Sequence, residues 1–148
     1  MAPHRWGGAA IREEMEAGGR SHEPLFVERH EEASVLCCQL YDLEHTLAAD
    51  SLHRVQELHR IYCTFDKVVA SSGCYKIRGS GSGEYVVAAN VAVPNPSHAS
   101  AIVACAQALM DACSELRLHT SKPLQLQLGI HSGELASGLI GLATYTYK

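Results

Sequence analysis

The chain has 148 residues, of which 47% are hydrophobic and 19% charged, and this composition is typical of one globular domain. Its net charge of −4 argues against a nucleic-acid partner, because binding a polyanion requires a basic patch. No apolar run approaches the roughly 20 residues that a membrane span needs, and residues 1–19 lack the apolar stretch of a secretory signal.

Six cysteines occur without the paired spacing of a zinc site, mostly within apolar segments. Most of them are expected to be buried reduced thiols, which indicates a cytoplasmic protein or the cytosolic part of a larger membrane-associated one. The six cysteines are Cys37, Cys38, Cys63, Cys74, Cys105 and Cys113.

The first part of the chain predicts a linker followed by a strand. Residues 1–30 are expected to be a linker that includes a short helix over Ala10–Ala17, which Gly18 and Gly19 would end. The continuous apolar run Ala33–Tyr41 predicts a strand that is buried on both faces.

Residues 50–70 have the three-to-four-residue period of an amphipathic helix. The charged side chains, Glu57 among them, are expected on its outer face, and Ser71 to Gly73 would end it. The predicted buried stripe consists of Leu52, Val55, Leu58, Ile61 or Tyr62, Phe65 and Val68 or Val69.

A hairpin is predicted next, with strands over Cys74–Ile77 and Glu84–Ala89. The intervening glycines and serines could suggest a phosphate-binding loop. They lack the required glycine-lysine spacing and lead into a strand instead of a helix, so a hairpin turn is favoured.

The last third predicts a helix that Ser97 caps, followed by two strands. Leu124–Ile130 alternates strictly, Ser132 and Gly133 are expected to turn the chain, and Leu135–Leu142 would return as a second hairpin arm. The order of elements indicates an α+β, ferredoxin-like (split βαβ) fold, with an antiparallel-rich sheet and helices on one face. The helix stripe is expected to be Ile102, Cys105 or Ala106, Leu109, Cys113 and Leu116.

Several strings, in this order, resemble the catalytic domain of class III adenylyl and guanylyl cyclases. Residues 31–39 resemble the first strand of that family, and residues 128–133 with 138–141 resemble its glycine-isoleucine-histidine-serine-glycine segment and the glycines that follow. The other matching strings are Phe65-Asp66 with residues 73–77, residues 94–99, and Tyr147. The resemblance implies a nucleotide cyclase fold over residues 31–148, incomplete at the C-terminus.

The resemblance also implies a chemistry, the conversion of GTP or ATP to a cyclic nucleotide and pyrophosphate. Two aspartates of the family hold two divalent ions, Mg²⁺ or Mn²⁺, which activate the attacking hydroxyl and neutralise the phosphates. Gln39 occupies the first of these positions, and Ser82 or Gly83 the second. Neither carries a charge, so we expect little or no metal binding by this chain alone.

Other family positions are altered as well. Asp42 and Glu84 lie close enough to serve as substitute acids if both loops were rebuilt; otherwise they are ordinary exposed acids. The base-selecting positions fall on Arg78 and Lys148, whose side chains only donate hydrogen bonds. The asparagine and arginine that stabilise the transition state are expected after Lys148, with the last strand and helix.

Two histidine-containing groups could suggest further sites. His131, Ser132 and Glu134 are expected to form a strand-end turn and not an acid–base pair. His53 and His59, with His45, do not have the spacing of a helical metal pair.

The function expected from the resemblance is a guanylate or adenylate cyclase-domain protein of cyclic-nucleotide signalling, catalytically impaired alone and acting as a homo- or heterodimer partner or as a fragment. The sheet and hairpin surfaces around residues 76–90 and 128–142 would form the dimer face. A non-catalytic scaffold that keeps only the fold is the alternative. An unrelated ferredoxin-like binding domain is a third interpretation, which a different strand order would support.

Overall fold

The computed structural model describes residues 27–47, 49–118 and 123–138. Within them the chain forms four strands and three helices. The predicted Ala10–Ala17 helix, Tyr147 and Lys148 lie outside the described residues. The elements are β1 (Val27–Tyr41), α1 (Leu43–Thr46), α2 (Ser51–Ser71), β2 (Tyr75–Gly79), β3 (Glu84–Ala89), α3 (His98–Glu115) and β4 (Gln125–Gly138).

The four strands form one antiparallel sheet in the order β2-β3-β1-β4. The two long helices pack on one face of it, and the core lies between them and the sheet. The predicted α+β, split βαβ architecture is therefore confirmed, and the strand order is the one that this fold requires.

The first strand alternates between a buried and an exposed side. Leu36, Cys38 and Leu40 are buried against the helices, whereas Cys37 and Gln39 are exposed on the opposite face. The prediction that this run is buried on both faces was wrong. The helices cover only one face of the sheet in the described residues, and the strand alternates accordingly.

The long helix α2 begins and ends close to the predicted residues. Asp50 caps it by accepting a hydrogen bond from the backbone N–H of His53, at 3.1 Å. Its first turns were predicted incorrectly: Leu52 and Val55 are exposed, and Glu57 is only 5% exposed. The buried stripe follows the four-residue period through Ile61, Phe65 and Val69.

The glycines and serines between β2 and β3 form a hairpin turn, as predicted, and not a phosphate-binding loop. The backbone N–H of Ser80 donates to the Glu84 carbonyl at 2.9 Å, and that of Gly83 donates to the Ser80 carbonyl at 3.1 Å. The turn leads directly into β3.

Helix α3 buries the predicted stripe, from Ile102 to Cys113. Ser97 does occupy the N-cap position, but its side chain makes no capping hydrogen bond. The position was predicted correctly and the interaction was not.

The predicted hairpin at Ser132 and Gly133 was wrong. β4 runs without a break through both residues and pairs with β1 over its whole length, from Gln125 to Gly138. A bulge lies in β1 instead, between His30 and Ala33. A serine-glycine pair favours a turn, but both residues can also continue a strand when a neighbouring strand pairs with them. Here the long strand β1 pairs with β4 through Ser132 and Gly133.

Candidate functional site

The end of β1 and the β2–β3 hairpin form one corner of the sheet, and the resemblance places the metal site of the family there. Gln39 and Glu84 are direct cross-strand partners. The backbone N–H of Leu40 donates to the Gly83 carbonyl at 2.9 Å. The structure therefore brings both substituted positions, Gln39 and the hairpin, into contact.

The side chain of Gln39 is turned into this corner. Its Nε2 atom donates to the Ser82 carbonyl at 3.0 Å and to the Leu40 carbonyl at 3.1 Å. Both partners are acceptors only, so the amide must present its NH₂ group and not its oxygen. A donor group thus faces the hairpin where a metal site needs an acceptor.

Gly83 leaves little room for a side chain. It is buried, with φ at +90° in the left-handed region. A Cβ at this position would lie 2.7 Å from Cδ1 of Leu43, 3.0 Å from Cβ of Leu40 and 3.1 Å from Nε2 of Gln39. If the second metal position of the family falls here, a carboxylate does not fit the corner as it is built.

Ser82, the alternative second position, is exposed on the turn. Its hydroxyl oxygen lies 2.7 Å from that of Ser80, within hydrogen-bonding distance. A neutral hydroxyl is a weak ligand for a hard divalent ion.

One of the two substitute acids, Glu84, forms an ion pair with Arg78. Nη2 of Arg78 lies 2.5 Å from Oε1 of Glu84, so a predicted base-selecting residue and a predicted substitute acid pair with each other. Asp42 is exposed beyond the end of β1, with φ at +55°, and precedes α1. In the described residues no three His, Cys, Asp or Glu side chains are grouped in a way that could hold a metal ion. The residues at this corner do not fit a divalent ion.

A hydrogen-bonded group that sequence reasoning missed lies on the face of the sheet that the helices cover. The hydroxyl of Ser34 lies 2.8 Å from Nδ1 of His98 and 2.6 Å from the hydroxyl of Ser132. Nε2 of His98 lies 4.0 Å from a carboxylate oxygen of Glu32. The set resembles a hydrolase triad, but Ser34 is fully buried and cannot reach a substrate. It joins β1, β4 and the first residue of α3, which no local spacing indicates.

A second polar group ties α2 to the hairpin strands. The Tyr85 hydroxyl donates to Asp66 at 2.6 Å, and the Lys76 ammonium group donates to both carboxylate oxygens of Asp66, at 2.7 and 3.0 Å. Burial pulls the pKa of Asp66 upward, but the hydrogen bonds from Lys76 and Tyr85 outweigh it, so this pKa lies below its ordinary value. Burial, followed by the Asp66 contact, raises the pKa of Tyr85.

The remaining histidine candidates lie in ordinary structural settings. His131 and Ser132 are consecutive in β4 and therefore point to opposite faces of the sheet. Glu134 pairs with Arg29 at 2.7 Å. His53 contacts its own cap residue, Asp50, at 2.8 Å, and His59 lies 3.5 Å from the sulfur of Cys63. The side chain of His45 lies outside the described residues.

Fold and corner together define a class of protein: an α+β domain with a β2-β3-β1-β4 sheet and a candidate site where β1 meets the hairpin. The model of the adenylate and guanylate cyclase catalytic domain matches residues 25–148. The chain therefore belongs to this cyclase family, whose members use divalent metal ions. The interpretation as an unrelated ferredoxin-like domain was wrong.

Relatives of known description are similar over most of the chain. An adenylate cyclase of Mycobacterium bovis is 27% identical over 140 residues, which cover 94% of this chain and 31% of that protein. The soluble guanylate cyclase gcy-31 of Caenorhabditis elegans is 29% identical over 133 residues, covering 80% of this chain and 19% of that protein. The chain thus spans less than a third of the length of either relative.

Solved structures share the fold. The catalytic core of a rhodopsin-guanylyl cyclase with converted specificity, in complex with ATPαS, superposes with a TM-score of 0.72 at 17% identity, covering 78% of this chain and 62% of the other. The guanylyl cyclase Cya2 gives a TM-score of 0.69 at 21% identity, covering 80% and 61%. None of the helices in residues 27–47, 49–118 and 123–138 combines the length and apolar character needed to cross a bilayer.

Proposed function

We propose that this domain acts in cyclic-nucleotide signalling as a cytosolic cyclase-family partner that is catalytically impaired on its own. One observation carries the proposal: Gln39 presents an amide NH₂ group, and not a carboxylate, to the hairpin. Without carboxylates at the two family positions, the chain lacks the groups that would place two divalent ions at the α-phosphate of GTP or ATP.

A homo- or heterodimer with another cyclase domain would supply what this corner lacks. The face of the sheet opposite the helices supports this part of the proposal, because it exposes Tyr75, Ile77 and Tyr41 by 39%, 49% and 53%. Tyr75 and Ile77 lie two residues apart on β2, and exposed apolar side chains that lie together on a sheet face are typical of an interaction surface. A similar guanylyl cyclase domain, from the RhoGC fusion protein of Blastocladiella emersonii, is described as a non-canonical dimer in one structure and as a monomer in another.

The same exposed face also favours the second candidate, a scaffold that pairs without contributing to catalysis. The two candidates predict different results when this chain meets a cyclase domain that retains both aspartates. A catalytic partner raises the rate of cyclic-nucleotide formation in the mixture, whereas a scaffold forms the complex and leaves the rate unchanged.

The test of impairment is a cyclase assay on the purified protein with Mn²⁺ and either GTP or ATP. We expect no cyclic nucleotide above the level of a protein-free control. Product formation that scales with protein concentration and is lost in Glu84→Gln would overturn the proposal, because it would show that a substitute acid is at work.

A further inference from the structure

The β2–β3 hairpin is held from two sides by side chains that bind its backbone carbonyls. From the helix side, the Tyr62 hydroxyl donates to the Ser80 carbonyl at 2.5 Å. From the strand side, Gln39 donates to the Ser82 carbonyl at 3.0 Å. The two hydrogen bonds are accepted by different carbonyls of the same turn. The Tyr62 bond joins the turn to α2, and the Gln39 bond joins it to β1.

We propose that the Gln39 amide is a metal-independent brace, which orders the hairpin against β1 at the corner where active relatives bind divalent ions. The amide spans the gap between the strand end and the turn directly, so no ion is needed to bridge them. The inference does not rest on the proposed function, because it holds equally for a catalytic partner and for a scaffold.

The fit around the amide supports this role. Gly83 adopts φ +90°, and the Cβ that it lacks would lie 3.1 Å from Nε2 of Gln39. Glycine therefore lets the turn approach closely enough for the amide to reach the neighbouring carbonyl. An aspartate in place of Gln39 would turn an acceptor toward the Ser82 carbonyl, and the two oxygens would repel each other.

Hydrogen exchange of the hairpin amides tests the brace locally. The reporters are the backbone N–H groups of Leu40, Ser80 and Gly83, all of which are hydrogen-bonded within this corner. We expect Gln39→Ala to speed their exchange about fivefold, the equivalent of one ordinary hydrogen bond. Gln39→Glu keeps the shape but replaces the donor, and should speed their exchange at least as much.

The matched control is Gln127→Ala, which removes the same side chain from the β4 residue paired with Gln39. We expect this variant to exchange like the wild type, and Mn²⁺ or EDTA to leave the wild-type pattern unchanged. The brace is refuted if Gln39→Ala and Gln39→Glu exchange like Gln127→Ala. A slowing of wild-type hairpin exchange by Mn²⁺ would equally refute it, because an ion would then order the corner. A cyclase signal in the separate activity assay would leave the exchange result standing.

Discussion

The buried hydroxyl of Ser34 lies 2.8 Å from Nδ1 of His98, so the middle of β1 is hydrogen-bonded to the first residue of α3. Ser132 completes the contact from β4, 2.6 Å from the same hydroxyl. Three elements that are distant in sequence thus meet at one fully buried oxygen.

Ser34→Ala is expected to lower the free energy of unfolding by about 2 kcal/mol, because the His98 side chain, which is only 12% exposed, loses its hydrogen-bond partner. Urea unfolding measures the difference. The control, Ser114→Ala, removes an exposed hydroxyl that bonds only to the carbonyl of Asp111 on its own helix. Its effect should stay within about 0.5 kcal/mol. Equal effects of the two substitutions would contradict a structural role for the buried hydroxyl.

Gly83→Ala and Gly73→Ala separate backbone strain from steric clash. Both glycines have positive φ, +90° and +72°, but a Cβ at Gly73 meets nothing within 4 Å. Gly73→Ala should cost about 1 kcal/mol of stability from strain alone. Gly83→Ala should cost at least about 1 kcal/mol more, because its Cβ clashes with Leu43 and Leu40. Comparable unfolding midpoints for the two variants would contradict the predicted clash, because they would show that the neighbours of Gly83 move aside at little cost in stability.

Asp66 gives the protein a specific sensitivity to acid. Its pKa in the folded state is below the unfolded value of about 3.9. The stability that its ionised form contributes is therefore fully present above pH 4 and is lost as pH falls through the lower, folded-state pKa. Asp66→Asn should flatten this acid limb in urea unfolding, whereas Asp111→Asn, at an exposed helix position, should leave it unchanged. Parallel acid limbs in the wild type and Asp66→Asn would refute the assignment.

The adjacent cysteines of β1 should differ sharply in reactivity. Burial, reinforced by neighbouring cysteines, raises the pKa of Cys38 to about 12, and burial raises that of Cys113 to about 11. Cys37 is exposed on the opposite face of the strand. We expect a thiol reagent to label Cys37 in the native protein and Cys38 and Cys113 only after unfolding. Mass spectrometry of labelled peptides distinguishes them, and equal labelling of Cys37 and Cys38 would contradict the strand register.

Ile77→Glu is expected to weaken any pairing through the exposed sheet face by about tenfold or more, because the charge must be desolvated in the interface. Leu52→Glu is the matched control, since Leu52 is similarly exposed, at 64% against 49%, but lies on α2, on the other side of the sheet. Analytical ultracentrifugation of the protein, alone and with a cyclase domain, measures both. Loss of pairing in Leu52→Glu alone would place the interface on the helices.

Local periodicity predicted the two long helices well, because an apolar stripe of helical period marks the face that is buried, whichever elements it packs against. The bounds of α2 and the stripe of α3 follow directly from apolar spacing. The exposure of Leu52 and Val55 could not be predicted, because it depends on how far the sheet extends beneath the first turns of α2. The continuity of β4 could not be predicted either, since Ser132 and Gly133 pair with Ser34 and Ala33, which are far earlier in the sequence.

The assignment of Gln39, and of Ser82 or Gly83, to the positions of the family's two aspartates rests on the resemblance and stays a prediction. The sequence defines the residue types at these positions but not the contacts that they make. It did not show that the Gln39 amide binds the Ser82 carbonyl, or that Arg78 pairs with Glu84. These contacts depend on a tight turn and on cross-strand register, which only the folded chain defines.

The most direct test of the central claim, that this corner is closed to divalent ions, is electron paramagnetic resonance of Mn²⁺ titrated with the purified protein. We predict that the wild type and Glu84→Gln leave the free Mn²⁺ signal equally unchanged. Saturable loss of the signal in the wild type, abolished by Glu84→Gln or Asp42→Asn, would contradict the account and show that the substitute acids hold a metal ion after all.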